Sequence, residues 1–206
     1  MTTRLKTSEL REAMKTTVPE GRIGNHAIVK FEVDEEEIKL FNLRQAIKHT
    51  GRVMFAGSYT KLVRNPCDGG WGETLVMSDT RDEIDDHLEV CRMASGHVLI
   101  NGLGLGCVVQ GCMAQPDVEK VTVVELHEDV INLVGPHLKG LYGDRLNIVH
   151  ADAFEYKAPR GSKFGAVWHD IWDNICITNL DEMRKLHRKY GSRTQWQGSW
   201  AREMLE

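Results

Sequence analysis

Apolar and polar positions along most of the chain alternate between a strand pattern and a helix pattern. Short apolar runs occur at 98–101, 121–125, 146–150 and 164–168, and segments with helical spacing occur at 82–94, 106–115 and 128–140. A strand followed by a helix thus recurs, which is the pattern of a parallel sheet with helices on both faces. Further helices are predicted at 180–190 and 194–205, the latter with Trp196 and Trp200 on one face.

The first 80 residues follow a different pattern. They predict a short amphipathic helix within 1–20, a strand at 26–33, a helix at 35–49 with its apolar residues on one side, and short strands at 52–55, 59–63 and 73–77. The Pro-Cys-Asp-Gly-Gly sequence at 66–70 predicts a turn. We therefore expect a helical and β-rich lead-in over 1–80 and an α/β domain over 81–206.

Composition narrows the class of protein. The chain has 206 residues, of which 41% are hydrophobic and 27% charged, as in an ordinary globular protein. A formal net charge of −4 does not favour a general nucleic-acid binder, although the basic run at 184–189 is compatible with a local patch. No apolar run is long enough to cross a bilayer, so no membrane partner and a cytoplasmic location are expected. Five cysteines without a Cys-x-x-Cys pair indicate reduced thiols, and the histidines lack metal-ligand spacing.

The most informative stretch is 98–106, Val-Leu-Ile-Asn-Gly-Leu-Gly-Leu-Gly. Glycines directly after a buried strand let the backbone approach a ligand closely, and Glu125, at the end of the next strand, can accept two hydrogen bonds from a ribose diol. The pattern indicates an adenosine-type cofactor. The nicotinamide-dinucleotide fingerprint requires glycine at the sixth position from Gly102, where this chain has Cys107, so S-adenosylmethionine is the favoured cofactor.

Taken in order, these signals resemble class I S-adenosylmethionine-dependent methyltransferases, and their spermidine-synthase-like branch in particular. Four segments carry the resemblance: 98–106, 123–126, 150–153 and 164–170. It implies a Rossmann-like methyltransferase fold and an enzyme that methylates an acceptor, most simply a small molecule. It also implies a set of cofactor-binding residues, namely Gly102, Leu103, Gly104, Gly106, Glu125, Leu126, Asp152, Ala153 and Asp170.

The resemblance further implies that Asp170 and Asp173 are catalytic. An acid at the carboxyl end of a strand can orient a nucleophile or accept its proton, whereas the alternative for Asp170 is a helix cap or a turn acid. Trp168 and Trp172 flank Asp170, and either is suited to stack on adenine or on a sulfonium cation. His87 is interpreted as a packing residue.

Two features resemble the aminopropyltransferases of that branch: the segment 80–83 followed by His87, and the Asp-x-x-Asp spacing of Asp170 and Asp173. Leu105 departs from it, because the family has an acid there that holds the amino group of decarboxylated S-adenosylmethionine. Asp86 and Asn174 replace a tyrosine and a proline of that pattern. Aminopropyl transfer and cofactor binding without catalysis therefore stay open as alternatives to methyl transfer.

The end of the chain also differs from the family. Methyltransferases of this class add three strands after the fourth, whereas residues 171–206 read mainly as helix. We expect a shortened parallel sheet, completed by the N-terminal strands or by a partner chain. An apolar face left by such a sheet, together with the tryptophan-bearing helix, predicts a homodimer.

Overall fold

A computed structural model describes residues 3–47, 53–65 and 72–206 of the chain. The helices are α1 (Thr7–Met14), α2 (Glu35–Ile47), α3 (Arg81–Asp86), α4 (Leu88–Met93), α5 (Cys107–Ala114), α6 (Glu128–Tyr142) and α7 (Asn179–Tyr190). The strands are β1 (Gly21–Ile23), β2 (His26–Val33), β3 (Gly57–Arg64), β4 (Thr74–Ser78), β5 (Gly96–Asn101), β6 (Val118–Glu125), β7 (Leu146–His150), β8 (Phe164–His169) and β9 (Thr194–Ser199). The turn predicted at 66–70 and the start of the strand predicted at 52–55 lie outside the described residues.

Strands β5 to β9 form the central sheet. Its order is β7-β6-β5-β8-β9, and every neighbouring pair is parallel. The inner strands read as near-continuous apolar runs because helices cover both faces, and Val98, Ile100, Val121 and Val123 are fully buried. The predicted α/β class, with a Rossmann-like parallel sheet, is confirmed.

The order of the strands places a switch point at the centre of this sheet. From β5 the chain proceeds outward through β6 and β7, then returns to the other side of β5 for β8 and β9. The loops that follow β5 and β8 therefore run in opposite directions and leave a crevice between them. In open α/β sheets, ligands bind at this position, outside the carboxyl ends of the strands.

The N-terminal strands form a sheet of their own. Strands β1 to β4 pair in sequence order, each antiparallel to the next. The expectation that the N-terminal strands complete the central sheet is therefore wrong. Helix α1 packs on α5 through Leu10 and Met14, both fully buried. A side chain at Gly111 of α5 would lie 2.6 Å from Met14, so the glycine allows this close packing.

The helix predicted at 194–205 is wrong. Residues Thr194–Ser199 form β9, parallel to β8, and a short 3-10 helix follows at Arg202–Met204. Trp196 stacks on Trp168 with ring centroids 6.2 Å apart and planes 8° apart. The pairing of this segment with β8 and the stacking of Trp196 on Trp168 stabilise a strand, although the spacing of Trp196 and Trp200 is typical of a helix. Because no tryptophan-bearing helix exists, that argument for a homodimer no longer applies, and the homodimer stays a prediction.

Three other elements differ in detail from the sequence-based expectations. The helix predicted at 82–94 is interrupted at His87, which has φ −107° and ψ 4°. Helix α2 forms, but Leu40, Leu43 and Ile47 are exposed, so its apolar side does not join the core. Residues 53–55 are not in a strand. Among the described residues, no helix has the length and apolar character required to span a membrane.

A close contact between the chain segments after β5 and β8 gives the first prediction. A Cβ atom at Gly102 would lie 1.9 Å from the backbone oxygen of Asp170, and Gly102 has φ +99°. We expect Gly102→Ala to lower the free energy of unfolding by about 3 kcal/mol or more. Gly96→Ala is the matched control: φ is +53° there, but nothing lies within 4 Å of the added atom. Its expected loss is about 1 kcal/mol. Equal losses in urea denaturation would contradict the steric argument.

Candidate cofactor and substrate site

A cavity of about 410 Å³ lies at the switch point, a size typical of small-molecule sites. Loops that follow β5, β6, β7 and β8 contribute to its wall. Nine of the ten residues predicted for the site line it: Gly102, Leu103, Gly104, Glu125, Leu126, Asp152, Ala153, Asp170 and Asp173. The fold thus brings together acids that are separated by up to 48 positions in the sequence.

The glycine loop turns tightly between β5 and α5. Gly104 has φ +50°, and a Cβ there would lie 2.6 Å from Met77 Sδ, so the loop passes directly under the last residues of β4. Gly106, the tenth predicted residue, is not among the lining residues. It caps α5 with φ +78°, and a Cβ would lie 2.5 Å from Leu138 of α6. Its glycine character serves the packing of the loop on α6.

Glu125 connects the glycine loop to the loop after β6. Its side chain is buried, and its two oxygens accept hydrogen bonds from the backbone N–H groups of Leu103 and His127, each at 2.8 Å. Each carboxylate oxygen has a second lone pair, so Glu125 can still accept hydrogen bonds from a ligand. The same two bonds fix the direction in which the carboxylate faces the cavity.

Asp152 belongs to an exposed turn after β7. Its Oδ1 accepts a hydrogen bond from the backbone N–H of Phe154 at 2.7 Å. Lys189 of α7 supports the turn by donating to the backbone oxygens of Ala153 (3.0 Å) and Phe154 (2.7 Å). Lys189, a member of the basic run at 184–189, therefore stabilises this wall of the cavity.

Asp170 follows β8 at the centre of the site. Its side chain is 24% exposed, and Oδ2 lies 3.6 Å from His87 Nε2. Burial, together with the nearby carboxylates of Glu83, Asp86 and Glu125, raises the pKa of Asp170 to about 7. Near neutral pH, Asp170 therefore exists in both its protonated and its charged form, which suits a group that exchanges protons.

The loop after Asp170 closes another side of the cavity. Asp173 forms an ion pair with Arg64 at the end of β3, so the N-terminal sheet is tied to this loop. Trp172 Nε1–H donates to Glu182 Oε2 of α7 at 2.7 Å. Trp172 lines the cavity as expected for an aromatic wall, whereas Trp168 is buried behind it in the stack with Trp196.

The structure corrects the role expected for Leu105. Its side chain is fully buried in the core and is not among the lining residues. Its backbone oxygen accepts a hydrogen bond from Thr16 Oγ1 at 3.0 Å. The left-handed glycines on either side of Leu105 turn its side chain away from the cavity. A ligand amine would not meet this apolar side chain, so Leu105 does not distinguish the two candidate cofactors.

Sequence reasoning missed several lining residues, among them Met77, Glu83, Phe154, Glu182 and Trp200. Glu83 stands in the 80–83 segment noted in the sequence, and that motif was the available signal. The sequence predicts Trp200 on a helix that does not form. Trp200 instead directly follows β9, at the carboxyl end of the fifth parallel strand.

Negative charge dominates the cavity. Six carboxylate residues line it, and none of its described lining residues is a lysine or an arginine. The six are Glu83, Glu125, Asp152, Asp170, Asp173 and Glu182. Such a surface favours cationic ligands, and an anionic group in a ligand would have to be received by backbone N–H groups.

Comparisons with known proteins return structural neighbours only. No protein-family model matches the chain, and no curated protein matches it significantly.

Several of the structural neighbours are methyltransferases. A dimethyladenosine transferase from Plasmodium falciparum aligns with 21% identity and a TM-score of 0.40, over 53% of this chain and 36% of that protein. CcbJ from Streptomyces caelestis aligns with 19% identity and a TM-score of 0.44, over 54% and 44%. NodS from Bradyrhizobium japonicum, in complex with S-adenosyl-L-homocysteine, aligns with 13% identity and a TM-score of 0.42, over 54% and 56%. This chain spans less than two thirds of each.

The raised pKa of Asp170 predicts a pH-dependent stability. The folded protein keeps this proton up to about pH 7, whereas an unfolded aspartate releases it near 3.8. The stabilisation is complete below the unfolded value and is lost as the pH rises through 7. We expect Asp170→Asn to raise the free energy of unfolding at pH 8 by on the order of 2 kcal/mol, with the gain vanishing near pH 4.

Urea denaturation across this pH range measures the effect. The substitution Asp144→Asn, at an exposed position, is the control for removing a surface charge. A pH-independent difference for Asp170→Asn would contradict the assignment of the titration to Asp170.

Proposed function

We propose that the chain is an S-adenosylmethionine-dependent methyltransferase that acts on a small-molecule acceptor. The observation that carries the proposal is the convergence of the glycine loop, Glu125, Asp152 and Asp170 around one cavity at the switch point of a parallel sheet. An adenosine moiety needs a closely approaching backbone and acceptors for hydroxyl and amino protons, and these residues supply both.

The residues fit the cofactor as follows. Gly102, Leu103 and Gly104 provide backbone along one side, and Glu125, held by its two backbone hydrogen bonds, faces the ribose hydroxyls. Asp152, in its exposed turn, accepts from the adenine amino group. When bound, S-adenosylmethionine supplies an activated methyl group on a sulfonium. Gly106 supports the loop through its close packing on Leu138 of α6.

Asp170 and Asp173 form the acceptor side in this proposal. Methyl transfer depends chiefly on holding the acceptor nucleophile in line with the methyl group, a proximity effect. Asp170 holds the acceptor and receives its proton, and Asp173, three residues further along the same loop, orients it. Trp172 provides an aromatic surface between them.

Binding to the cofactor tests the proposal directly. Glu125→Ala removes a charged acceptor, a loss of about 1.5–3 kcal/mol, so S-adenosylmethionine and S-adenosylhomocysteine should bind at least tenfold more weakly. Glu128→Ala, three residues further along the chain and exposed, is the matched control and should bind normally. Titration calorimetry with the wild-type protein and both variants measures the affinities. Equal affinity for Glu125→Ala would reject the assignment.

Turnover separates an enzyme from a binding protein. Transfer of a labelled methyl group to members of a panel of small amines and alcohols supports the proposal. Tight cofactor binding with no transfer to any acceptor would favour a non-catalytic cofactor-binding protein.

Aminopropyl transfer, as in the spermidine-synthase-like branch, is the second candidate. The specific observation in its favour is the carboxylate-rich lining, because decarboxylated S-adenosylmethionine keeps both positive charges and lacks the negative one. Leu105 lies outside the cavity, so its apolar side chain does not face a ligand amine, but the loop still lacks the acid that the branch has at this position. The Asp-x-x-Asp spacing of Asp170 and Asp173 is a further point of likeness.

Competitive binding of the two cofactors distinguishes these candidates. Under the methyl-transfer proposal, S-adenosylmethionine binds at least as tightly as its decarboxylated form, because backbone N–H groups near the start of α5 receive its carboxylate. A preference of tenfold or more for the decarboxylated form would overturn methyl transfer and favour aminopropyl transfer.

A further inference from the structure

His87 occupies a special position beside the site. It separates α3 from α4, and its residue exposure is only 4% although it lines the cavity. Its ring stands edge-on to Trp168, with centroids 5.7 Å apart and planes at 88°. The break between the two helices and this aromatic contact together fix where the imidazole lies.

The imidazole faces Asp170 from the protein side. His87 Nε2 lies 3.6 Å from Asp170 Oδ2, and Asp170 is the more exposed of the two side chains. Asp170 is therefore the more accessible of the two to a ligand in the cavity. This is the arrangement of a proton-accepting group that is oriented by a second group, as in other acid–base sites.

Among the described residues, the charged groups that shift the pKa of Asp170 are acids. Glu83 and Asp86 approach from α3 and Glu125 from β6, and all three oppose a negative charge on Asp170. An imidazole N–H, or an imidazolium, opposes them by stabilising the carboxylate form.

We propose that His87 is a positioning residue that favours the carboxylate form of Asp170, so that Asp170 can accept a proton from an acceptor molecule in the cavity. The inference rests on the proposed function for the identity of the acceptor, but the pairing itself exists in the protein without any ligand. Only a proton moves in this step: it leaves the nucleophilic atom of the acceptor and binds a carboxylate oxygen of Asp170.

Carbon-13 NMR of the ligand-free protein, labelled at aspartate carboxyls, tests the pairing. Asp170→Asn identifies the Asp170 resonance, and its titration midpoint is then compared in three proteins. His87→Phe keeps a ring against Trp168 but removes the donor, and the midpoint should rise by about one pH unit or more. His87→Gln keeps an N–H near the position of Nε2, and its midpoint should stay close to that of the wild type. An unchanged midpoint in His87→Phe would overturn the proposal and leave His87 a packing residue.

A reciprocal measurement covers the case in which His87→Phe does not fold. Removal of the Asp170 charge by Asp170→Asn should shift the titration of the His87 imidazole to lower pH. No shift would overturn the proposal. Neither measurement uses a cofactor, so a shift in the midpoints combined with no binding of S-adenosylmethionine in calorimetry would refute the proposed function alone.

Discussion

The close backbone contact between the segments after β5 and β8 is the constraint on which the site depends. Asp170 N–H donates to the backbone oxygen of Asn101 at 2.9 Å, and the Asn101 side-chain nitrogen lies 2.7 Å from His169 Nδ1. Gly102 continues directly from this point, and only a residue without Cβ leaves room for the Asp170 carbonyl. The glycine loop and the Asp170 loop are therefore fixed relative to each other before either meets a ligand. Preorganisation of this kind is what binding and catalysis require of a scaffold.

This arrangement concentrates negatively charged side chains around Asp170. Glu83, Asp86 and Glu125 surround Asp170, and their repulsion opposes the charged form of Asp170 in the folded protein. Elsewhere the site limits the repulsion with local partners. Arg64 neutralises Asp173, Trp172 donates to Glu182, and backbone N–H groups donate to Glu125. A cationic ligand would relieve the repulsion around Asp170. The repulsion that disfavours a charged Asp170 in the ligand-free protein would therefore also favour the binding of a cation.

Sequence alone predicted the parts of the fold that depend on strong local signals. Four strands read as apolar runs, and the acids Glu125, Asp152 and Asp170 could be placed at one edge because the carboxyl ends of parallel strands meet there. Strand β9 escaped prediction because Thr194–Ser199 is largely polar and its stability comes from pairing with β8 and from the Trp168 stack.

Features set by backbone twist or by distant contacts were less accessible from the sequence. The direction of the Leu105 side chain is set by two left-handed glycines. The interruption at His87 lies inside a segment whose apolar spacing is continuous through it, so periodicity gave no sign of a break.

The N-terminal sheet shows why a site of this kind extends beyond the central sheet. Met77, at the end of β4, lies over the glycine loop: its sulfur accepts from the Leu105 N–H at 3.4 Å and occupies the space that a Cβ at Gly104 would need. Arg64, at the end of β3, forms an ion pair with Asp173 in the loop after β8. Because β3 and β4 pair with each other, the N-terminal sheet contacts the cavity both at the glycine loop and at the loop after β8. A shift of these two strands would therefore move both contacts, although neither strand belongs to the central sheet.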